Sequence, residues 1–373
     1  MRFTCSREKL LGGLQIVGSV VSTRGMKPVY ESVLIRSRDG ALEMMGTDLE
    51  VAIRFHLTDE DGGIRIEEAG ALVVPAAKLT AILREVKDDK VDFTWENNIL
   101  TIECVGSRFR MNGLPEDEFP EIPDFPEQAP ITVPSALFQR MVARTSFAAA
   151  REKMRYALNG VLLLLKDNRL TMVGTDGRRL AHSGATLDDP TGSTAEADLR
   201  AIVPTKGMTQ ISKVVGEEEE TIDLALGNNQ LSARTEHAVV VSRVLEGSFP
   251  PFEDVIPVNC ERRARVKRDD LVAAVRKAAL LTNKESQSVR WTFAEGSLTL
   301  TARAAEVGEA HVSLDIEYEG EPAEVAFNPA YVLDGLAVIE DETVTFEFRN
   351  PSSPAKMTDG DEFTYVVMPI SIE

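Results

Sequence analysis

The sequence contains few of the residues that usually crosslink small domains or assemble catalytic centres. Its 3 cysteines and 4 histidines are scattered through 373 residues, which fits neither a disulfide framework nor a clustered zinc site. No P-loop, dinucleotide-binding fingerprint, Gly-x-Ser-x-Gly elbow or His-Glu-x-x-His motif occurs. We therefore expect no metal and no cofactor, and we expect that the chain is not an enzyme.

Long hydrophobic runs and an excess of positive charge are also missing. The longest nearly apolar runs, such as Gly160–Leu165, have the length of a strand and fall far short of a membrane span. The first twelve residues carry Arg2, Arg7, Glu8 and Lys9, where a signal peptide needs an apolar core. A net charge of -19 disfavours general adhesion to nucleic acid or anionic lipid. We expect a cytoplasmic protein with no membrane partner.

A threefold internal repeat is present instead. Polar two-residue turns at Asp39-Gly40, Asp167-Asn168 and Glu295-Gly296 recur at a constant spacing of 128 residues, and each is followed two positions later by leucine. The flanking residues alternate between apolar and polar, which predicts antiparallel hairpins. Each repeat also holds two helical segments. The first helices are predicted over residues 7–21, 135–149 and 268–281, and the second begin near Pro75, Pro204 and Pro329.

The repeat predicts an α+β fold of three tandem, similar domains, each with antiparallel sheet and two helices. Proline-rich stretches at 119–130 and 249–257 interrupt the periodicity. They place the predicted boundaries at residues 1–128, 129–254 and 255–373.

The positive charge is concentrated in the helices of this acidic chain. Five of the six predicted helices have a net positive charge, and only the last, which begins at Pro329, is negative. Such segregation favours contact with a polyanion, and the scarcity of aromatic residues argues for duplex backbone rather than stacked single strands. Arg140, Arg144 and Arg151 are spaced to share one helical face. The other candidate phosphate contacts on these helices are Lys78, Arg84, Lys206, Lys213, Arg276 and Lys277.

Two other functional interpretations stay open from the residues alone. Asp48 and Asp176 could serve as carboxylates of a hydrolase, although their equivalent positions in two repeats suit a structural turn. Alternatively, the basic helices could be merely solvated faces of a protein-binding scaffold that never contacts DNA.

Several motifs resemble those of the bacterial sliding clamp family, the beta subunits of DNA polymerase III. They include Met1-Arg2-Phe3-Thr4, Gly46-Thr47-Asp48-Leu49-Glu50, Thr175-Asp176-Gly177-Arg178-Arg179-Leu180-Ala181, Phe327-Asn328-Pro329 and Tyr365-Val366-Val367-Met368-Pro369. The resemblance extends from one end of the sequence to the other.

This resemblance implies a ring in which two subunits join head to tail, with sheets outside and helices inside. Six domains of about 18 Å radius leave a central hole on the order of 36 Å, enough for duplex DNA. The implied function is to encircle duplex DNA of any sequence and to tether polymerases for processive replication. The implied partners are a second copy of the chain, the DNA polymerase III alpha subunit, other polymerases and the clamp loader complex.

The resemblance also implies three sets of site residues. For DNA contact it adds Arg24 and the segment from Arg151 to Tyr156. For the subunit interface it indicates Arg108, Phe109, Met111, Leu280, Leu281 and Glu306, although Leu280 and Leu281 also continue the apolar face of their own helix. For a pocket that binds partner peptides it indicates Leu158, Thr175, Gly177, Arg178, Leu180, Pro250, Val255, Met368, Pro369 and Ile370.

Overall fold

The structure, a computed structural model, describes residues 1–22, 27–58, 63–127, 130–151, 156–188, 199–216, 220–227, 229–282, 287–304 and 308–371. Its contacts divide the chain into two units. Unit 1 comprises Met1–Gln139 and Lys206–Val244, and unit 2 comprises Arg140–Thr205 and Leu245–Glu373. The middle repeat therefore contributes strands to both units.

Unit 1 contains two antiparallel sheets and helices α1 (Arg7–Gly18) and α2 (Ala76–Glu85). The smaller sheet runs in the order β5 (Arg65–Glu68), β1 (Arg2–Ser6), β7 (Lys90–Glu96), β8 (Ile99–Cys104), β9 (Ser107–Asn112). The larger sheet runs in the order β10 (Ile131–Pro134), β15 (Thr221–Gly227), β16 (Gln230–Arg234), β17 (Ala238–Arg243), β4 (Val51–Leu57), β3 (Ala41–Thr47), β2 (Ser32–Arg38), β6 (Ala71–Pro75).

Unit 2 likewise contains two antiparallel sheets, with helices α5 (Arg268–Ala279) and α6 (Pro329–Leu336). The larger sheet runs in the order β14 (Leu199–Pro204), β11 (Gly160–Lys166), β12 (Arg169–Thr175), β13 (Arg179–Thr186), β26 (Phe363–Val367), β25 (Ala355–Asp359), β24 (Thr343–Phe348), β18 (Arg262–Lys267), β22 (Glu317–Glu319). The smaller runs in the order β21 (Gly308–Asp315), β20 (Ser297–Ala304), β19 (Val289–Ala294), β23 (Ala323–Phe327).

The helices predicted from the repeat are present, with shorter bounds than expected. The division between the units falls within α3 (Ser135–Thr145) and at the first residue of α4 (Thr205–Val214). Pro329 occupies the first turn of its helix, as expected, whereas Pro75 and Pro204 are the last residues of strands that precede the second helices. The α+β class and the threefold repetition are confirmed, and the domain boundaries stay a prediction.

The repeated turns adopt the backbone conformation that their residues favour. Asp39 and Gly40 have φ angles of 52° and 82°, and Asp167 and Asn168 have φ angles of 50° and 61°. Two consecutive positive φ angles are typical of the tight turns whose twist matches that of the flanking strands. In the third repeat, Gly296 alone has a positive φ.

Equivalent glycines allow a helix to approach a strand in the first two repeats. A Cβ atom at Gly46 would lie 2.3 Å from the carbonyl oxygen of Val17, at the end of α1. A Cβ atom at Gly174 would lie 2.2 Å from the carbonyl oxygen of Thr145, at the end of α3. Both distances are too short for any side chain, so the repeat conserves a packing contact as well as a hairpin.

Each unit has its own hydrophobic core. In unit 2, the buried ring of Trp291 stacks on Phe346 at 5.2 Å and meets the edge of Phe327 at 5.6 Å. In unit 1, the buried rings of Phe3 and Phe93 stack at 4.7 Å. Among the described residues, no helix is both long and apolar enough to cross a membrane.

Candidate functional site

An apolar cavity of about 150 Å³ opens on the surface of unit 2. Its floor is formed by buried side chains, including Leu158, Leu180 and Phe252, which belong to one hydrophobic cluster. Its rim is accessible, because Val255 is 39% exposed and Met368 is 37% exposed. A concave site with an apolar floor and an open rim is suited to an apolar side chain of a partner.

The turn between β12 and β13 forms one wall of the cavity and is fixed by its own side chains. The carboxylate of Asp176 accepts hydrogen bonds from the backbone N–H groups of Arg178 and Arg179, at 2.9 and 3.1 Å. The hydroxyl of Thr175 accepts the N–H of Gly177 at 3.1 Å and donates to the carbonyl of Arg179 at 2.6 Å. Gly177 has φ +84°, a conformation that a side chain would strain.

Two further segments complete the walls. Strand β26 pairs with β13 so that Val366 lies opposite Leu180, and the N–H of Met368 then donates to the carbonyl of Arg178 at 2.9 Å. On the other side the proline-rich segment presents Phe252, whose ring lies 5.8 Å from that of His182. Burial lowers the pKa of His182, which favours the neutral ring in this apolar contact.

Seven of the ten residues predicted for the peptide pocket line this cavity: Leu158, Thr175, Gly177, Leu180, Pro250, Val255 and Met368. The other three, Arg178, Pro369 and Ile370, line a second cavity of about 270 Å³ with Gln287, Asn328 and Tyr331, and Met368 contributes to both. At the second cavity, the N–H of Ile370 donates to the carbonyl of Ala326 on β23 at 2.8 Å.

Four lining residues were not predicted: Arg179, Pro251, Phe252 and Val366. The alternation of β26 could have indicated Val366, since it shares the cavity face with Met368. Phe252 lies in a stretch interpreted only as a boundary. No sequence signal distinguishes the buried Arg179 from its exposed neighbour Arg178.

Most of the predicted DNA-contacting cations are exposed, as a phosphate contact requires. Exposure holds for Lys78, Arg84, Arg140, Arg151, Lys206, Lys213, Arg276 and Lys277. Two of them are engaged within the chain: Arg140 donates to Glu362 at 2.9 Å, and Lys206 forms an ion pair with Asp48. Such exposed pairs exchange readily for contacts with another anion.

Arg144 does not fit the predicted role. It is 5% exposed and its guanidinium forms an ion pair with the buried carboxylate of Asp359, lies 3.7 Å from Glu340, and covers the ring of Phe363 at 5.3 Å. The hairpin of β25 and β26 covers this end of α3, so Arg144 has a structural role. The predicted shared face with Arg151 is also wrong, because α3 ends at Thr145.

The residues indicated for the subunit interface lie on two separate surfaces. Arg108, Phe109 and Met111 are on β9, an edge strand of the smaller sheet of unit 1, where Arg108 forms an ion pair with Glu103 at 3.2 Å. Leu280 follows α5 and is 79% exposed, whereas Leu281 is half-buried. Leu280 is therefore not a core residue of its own unit.

Three predicted positions are left without structural detail. Arg24 and Glu306 lie outside the described residues, as does the side chain of Tyr156. Within the described part of the chain, no group of three or more His, Cys, Asp or Glu residues is arranged to hold a metal ion.

The fold and the cavity define a class: a three-repeat α+β protein of the DNA clamp type. Three family models match the chain in succession, the N-terminal domain of the DNA polymerase III beta subunit over residues 1–123, the central domain over 132–251 and the C-terminal domain over 253–371. The chain belongs to the family of DNA polymerase III beta subunits and functions as a DNA sliding clamp.

Individual relatives agree over their full lengths. The beta sliding clamp of Pseudomonas aeruginosa is 33% identical over 375 residues, with all of both chains covered, and that of Vibrio cholerae is 32% identical with the same coverage. The crystal structure of the Pseudomonas aeruginosa clamp bound to griselimycin matches with a TM-score of 0.93 at 33% identity, and each chain is fully covered. The Bacillus subtilis clamp, at 24% identity and full coverage, has a TM-score of 0.95 and shares the fold.

Proposed function

We propose that two copies of this chain close head to tail into a ring around duplex DNA, and that the ring tethers polymerases during replication without catalysing a reaction itself. The full-length match to the clamp family carries this proposal. The alpha subunit of DNA polymerase III, other polymerases and the clamp loader are the proposed partners, and the cytoplasm is the proposed location.

Two edge strands support the closure of the ring. Strand β9 and strand β21 each lie at the edge of a sheet, so each has a row of backbone groups available for pairing with another chain. Their exposed side chains are complementary in charge, with Arg108 and Arg110 on β9 and Glu309 on β21. The exposed Leu280 supplies apolar surface that a second copy would bury. We assign these strands to the interface between copies.

Sedimentation of an interface variant tests the ring. Replacing Leu280 with alanine and Leu281 with lysine removes the apolar contact and adds a charge, so we expect folded monomers where the wild type sediments as a dimer. The matched control replaces the exposed Val258, which lies outside both edge strands. A variant that still sediments as a dimer would show that the interface is elsewhere.

The exposed helix cations are proposed to contact DNA phosphates. Neutralising Arg140, Arg151, Lys206 and Lys213 should weaken DNA association and flatten its salt dependence, because each lost phosphate contact removes about one unit from the slope of log K against log salt. Binding should not depend on base sequence, since phosphates carry no sequence information. An unchanged slope would mean that these cations face bulk solvent.

The cavity of unit 2 is proposed to bind short peptide segments of the partners through an apolar anchor. The crystal structure of the Pseudomonas aeruginosa clamp with griselimycin shows that a relative binds a ligand, and we propose that griselimycin binds this chain as well. A fluorescein-labelled synthetic peptide with two adjacent leucines should bind, and the same peptide with alanines should not. Equal anisotropy changes for both peptides would contradict the proposal.

A further inference from the structure

We propose that Arg179 is the positioning residue that holds the wall of the cavity in its binding conformation, an inference that rests on the proposed function of the cavity. The side chain is 7% exposed and lines the cavity. Its guanidinium donates hydrogen bonds to three different segments of unit 2. It therefore acts on a partner peptide through the wall that it fixes.

The contacts of Arg179 join the turn of the cavity to helix α6 and to the segment after α3. Its Nε donates to Asp176 at 3.1 Å, within the turn. One terminal nitrogen donates to Asp334 on α6, and the other donates to the carbonyl of Phe147 at 2.9 Å. The guanidinium also stacks on the ring of Tyr331, 4.6 Å from its centroid. Three segments distant in sequence thus meet at one planar group.

The first repeat shows that the turn itself does not need an arginine. The equivalent turn carries Val51 at the position of Arg179, and yet Thr47 and Asp48 make the same set of four hydrogen bonds to its backbone. The arginine is thus an addition in the repeat that bears the cavity. What it adds is a connection from the turn to α6.

Only an arginine can make this connection. The guanidinium is planar and offers donors in three directions while one face stacks on an aromatic ring. A lysine in the same place keeps the charge but presents a single nitrogen, so it cannot reach Asp176, Asp334 and the carbonyl of Phe147 together. Burial alone would lower the pKa of Arg179, but the hydrogen bond to Asp334 and the neighbouring charges raise it above its usual value, so the group is charged at neutral pH.

The test measures the affinity of the leucine peptide defined above in Arg179→Lys, Asp334→Asn and the double variant. We expect the dissociation constant to rise on the order of tenfold in Arg179→Lys, because two charge-assisted hydrogen bonds and the stacking contact are lost. Asp334→Asn should raise it less, and the double variant should resemble Arg179→Lys because the two residues act as one unit. The matched control is Arg263→Lys, which alters an arginine–glutamate pair between β18 and β24, outside the cavity.

Affinity is measured at a temperature at which each variant is folded, so that a loss of stability alone would leave it unchanged. Wild-type affinity in Arg179→Lys, or an equal loss in Arg263→Lys, would overturn the inference. If Arg179→Lys does not fold, wild-type affinity in Asp334→Asn overturns it instead. A wild-type protein that does not distinguish the leucine peptide from the alanine peptide would contradict the proposed function and this inference with it. Discrimination by the wild type with no effect of either variant contradicts the inference alone.

Discussion

The turns after β3 and β12 are the same motif used in two ways. In both, a threonine hydroxyl accepts one backbone N–H and donates to a backbone carbonyl, and an aspartate carboxylate accepts two backbone N–H groups. The third residue of each turn has a positive φ, +76° at Leu49 and +84° at Gly177. Only the second turn forms a wall of the apolar cavity of unit 2. The threonine and the aspartate thus build the turn, and other residues determine its use.

Three positions near the turn differ between the two repeats and contribute to the cavity of the second. Glycine, arginine and leucine occupy positions 177, 179 and 180, where the first repeat has leucine, valine and alanine at 49, 51 and 52. Gly177 lines the cavity, Arg179 connects its wall to α6, and Leu180 supplies part of its floor. A repeated backbone can therefore acquire a binding site through a few side chains.

The two aspartates have the same structural role in both turns. Asp48 accepts the N–H groups of Glu50 and Val51, and Asp176 accepts those of Arg178 and Arg179. Each carboxylate also forms an ion pair, with Lys206 and Arg179 respectively. These contacts give both aspartates a structural reason to recur at equivalent positions.

The largest effect is expected from deleting Met368–Glu373, which should abolish binding of the leucine peptide while leaving the dimer intact. The deletion removes a cavity wall but only a few backbone hydrogen bonds. Leu49→Ala, in the turn of the first repeat, is the control and should leave binding unchanged. Fluorescence anisotropy measures the affinity and sedimentation measures the dimer. Retained binding would place the peptide elsewhere.

A large loss of stability is expected from Arg144→Ala. The substitution leaves the carboxylate of Asp359 buried without its partner, which costs about 3 to 5 kcal/mol. Arg140→Ala, one turn earlier on the same helix, removes an exposed ion pair with Glu362 and should cost less than about 1 kcal/mol. Urea denaturation measures both free energies of unfolding. Equal losses would mean that position in the helix, rather than burial, determines the role of each arginine.

A reciprocal exchange in the two turns should have smaller, opposite effects. Gly177→Leu forces a side chain into a left-handed backbone and should destabilise by about 1 to 2 kcal/mol, besides weakening peptide binding. Leu49→Gly relieves the same strain, but glycine also adds conformational freedom to the unfolded chain. The free energy of unfolding should therefore increase by less than about 1 kcal/mol. Thermal unfolding measures both. Changes of the same sign would show that the two turns differ in backbone strain.

Two contacts, one in the first repeat and one in the second, should respond to acid at different pH. A hydrogen bond from Arg54 lowers the pKa of Asp124 in the first, so its stabilisation is complete at neutral pH and is lost as the pH falls through that lowered pKa. At the position equivalent to Arg54, burial lowers the pKa of His182, so stability decreases once the pH falls below the ordinary histidine range. In a pH series of unfolding experiments, Asp124→Asn should remove the more acidic loss. His182→Gln should reduce the less acidic loss, to which the burial of His56 also contributes.

The repeat made most of the fold predictable from sequence. Turn residues such as Asp39-Gly40 and the alternation around them specify hairpins locally, and the three predicted hairpins are present in the structure. What could not be predicted is that β17 pairs with β4 and β13 pairs with β26, which joins strands of different repeats into single sheets. Such pairing depends on which strands lie at the edges of the sheets of each repeat, and no local sequence pattern identifies those strands.

The site was predictable where it depends on apolar side chains near a turn, and less so where it depends on buried charge. Leu158, Leu180 and Met368, which the family resemblance indicates, line one cavity in the structure. Arg144 was wrongly assigned to DNA contact, and Arg179 was not predicted for the cavity. Their carboxylate partners, Asp359 and Asp334, lie 215 and 155 positions away in the sequence, so no local pattern reveals these pairs. Helical spacing alone does not show which strand covers a helix.

Retention on circular DNA tests the central claim of encirclement most directly. The clamp would be loaded on a nicked circular duplex and on the same duplex after linearisation, and the bound protein would be separated by gel filtration at a salt concentration that weakens direct phosphate contacts. A closed ring predicts that the protein stays on the circle and slides off the linear ends. Equal retention on both forms, or loss from both, would contradict encirclement and favour a protein that binds DNA laterally or not at all.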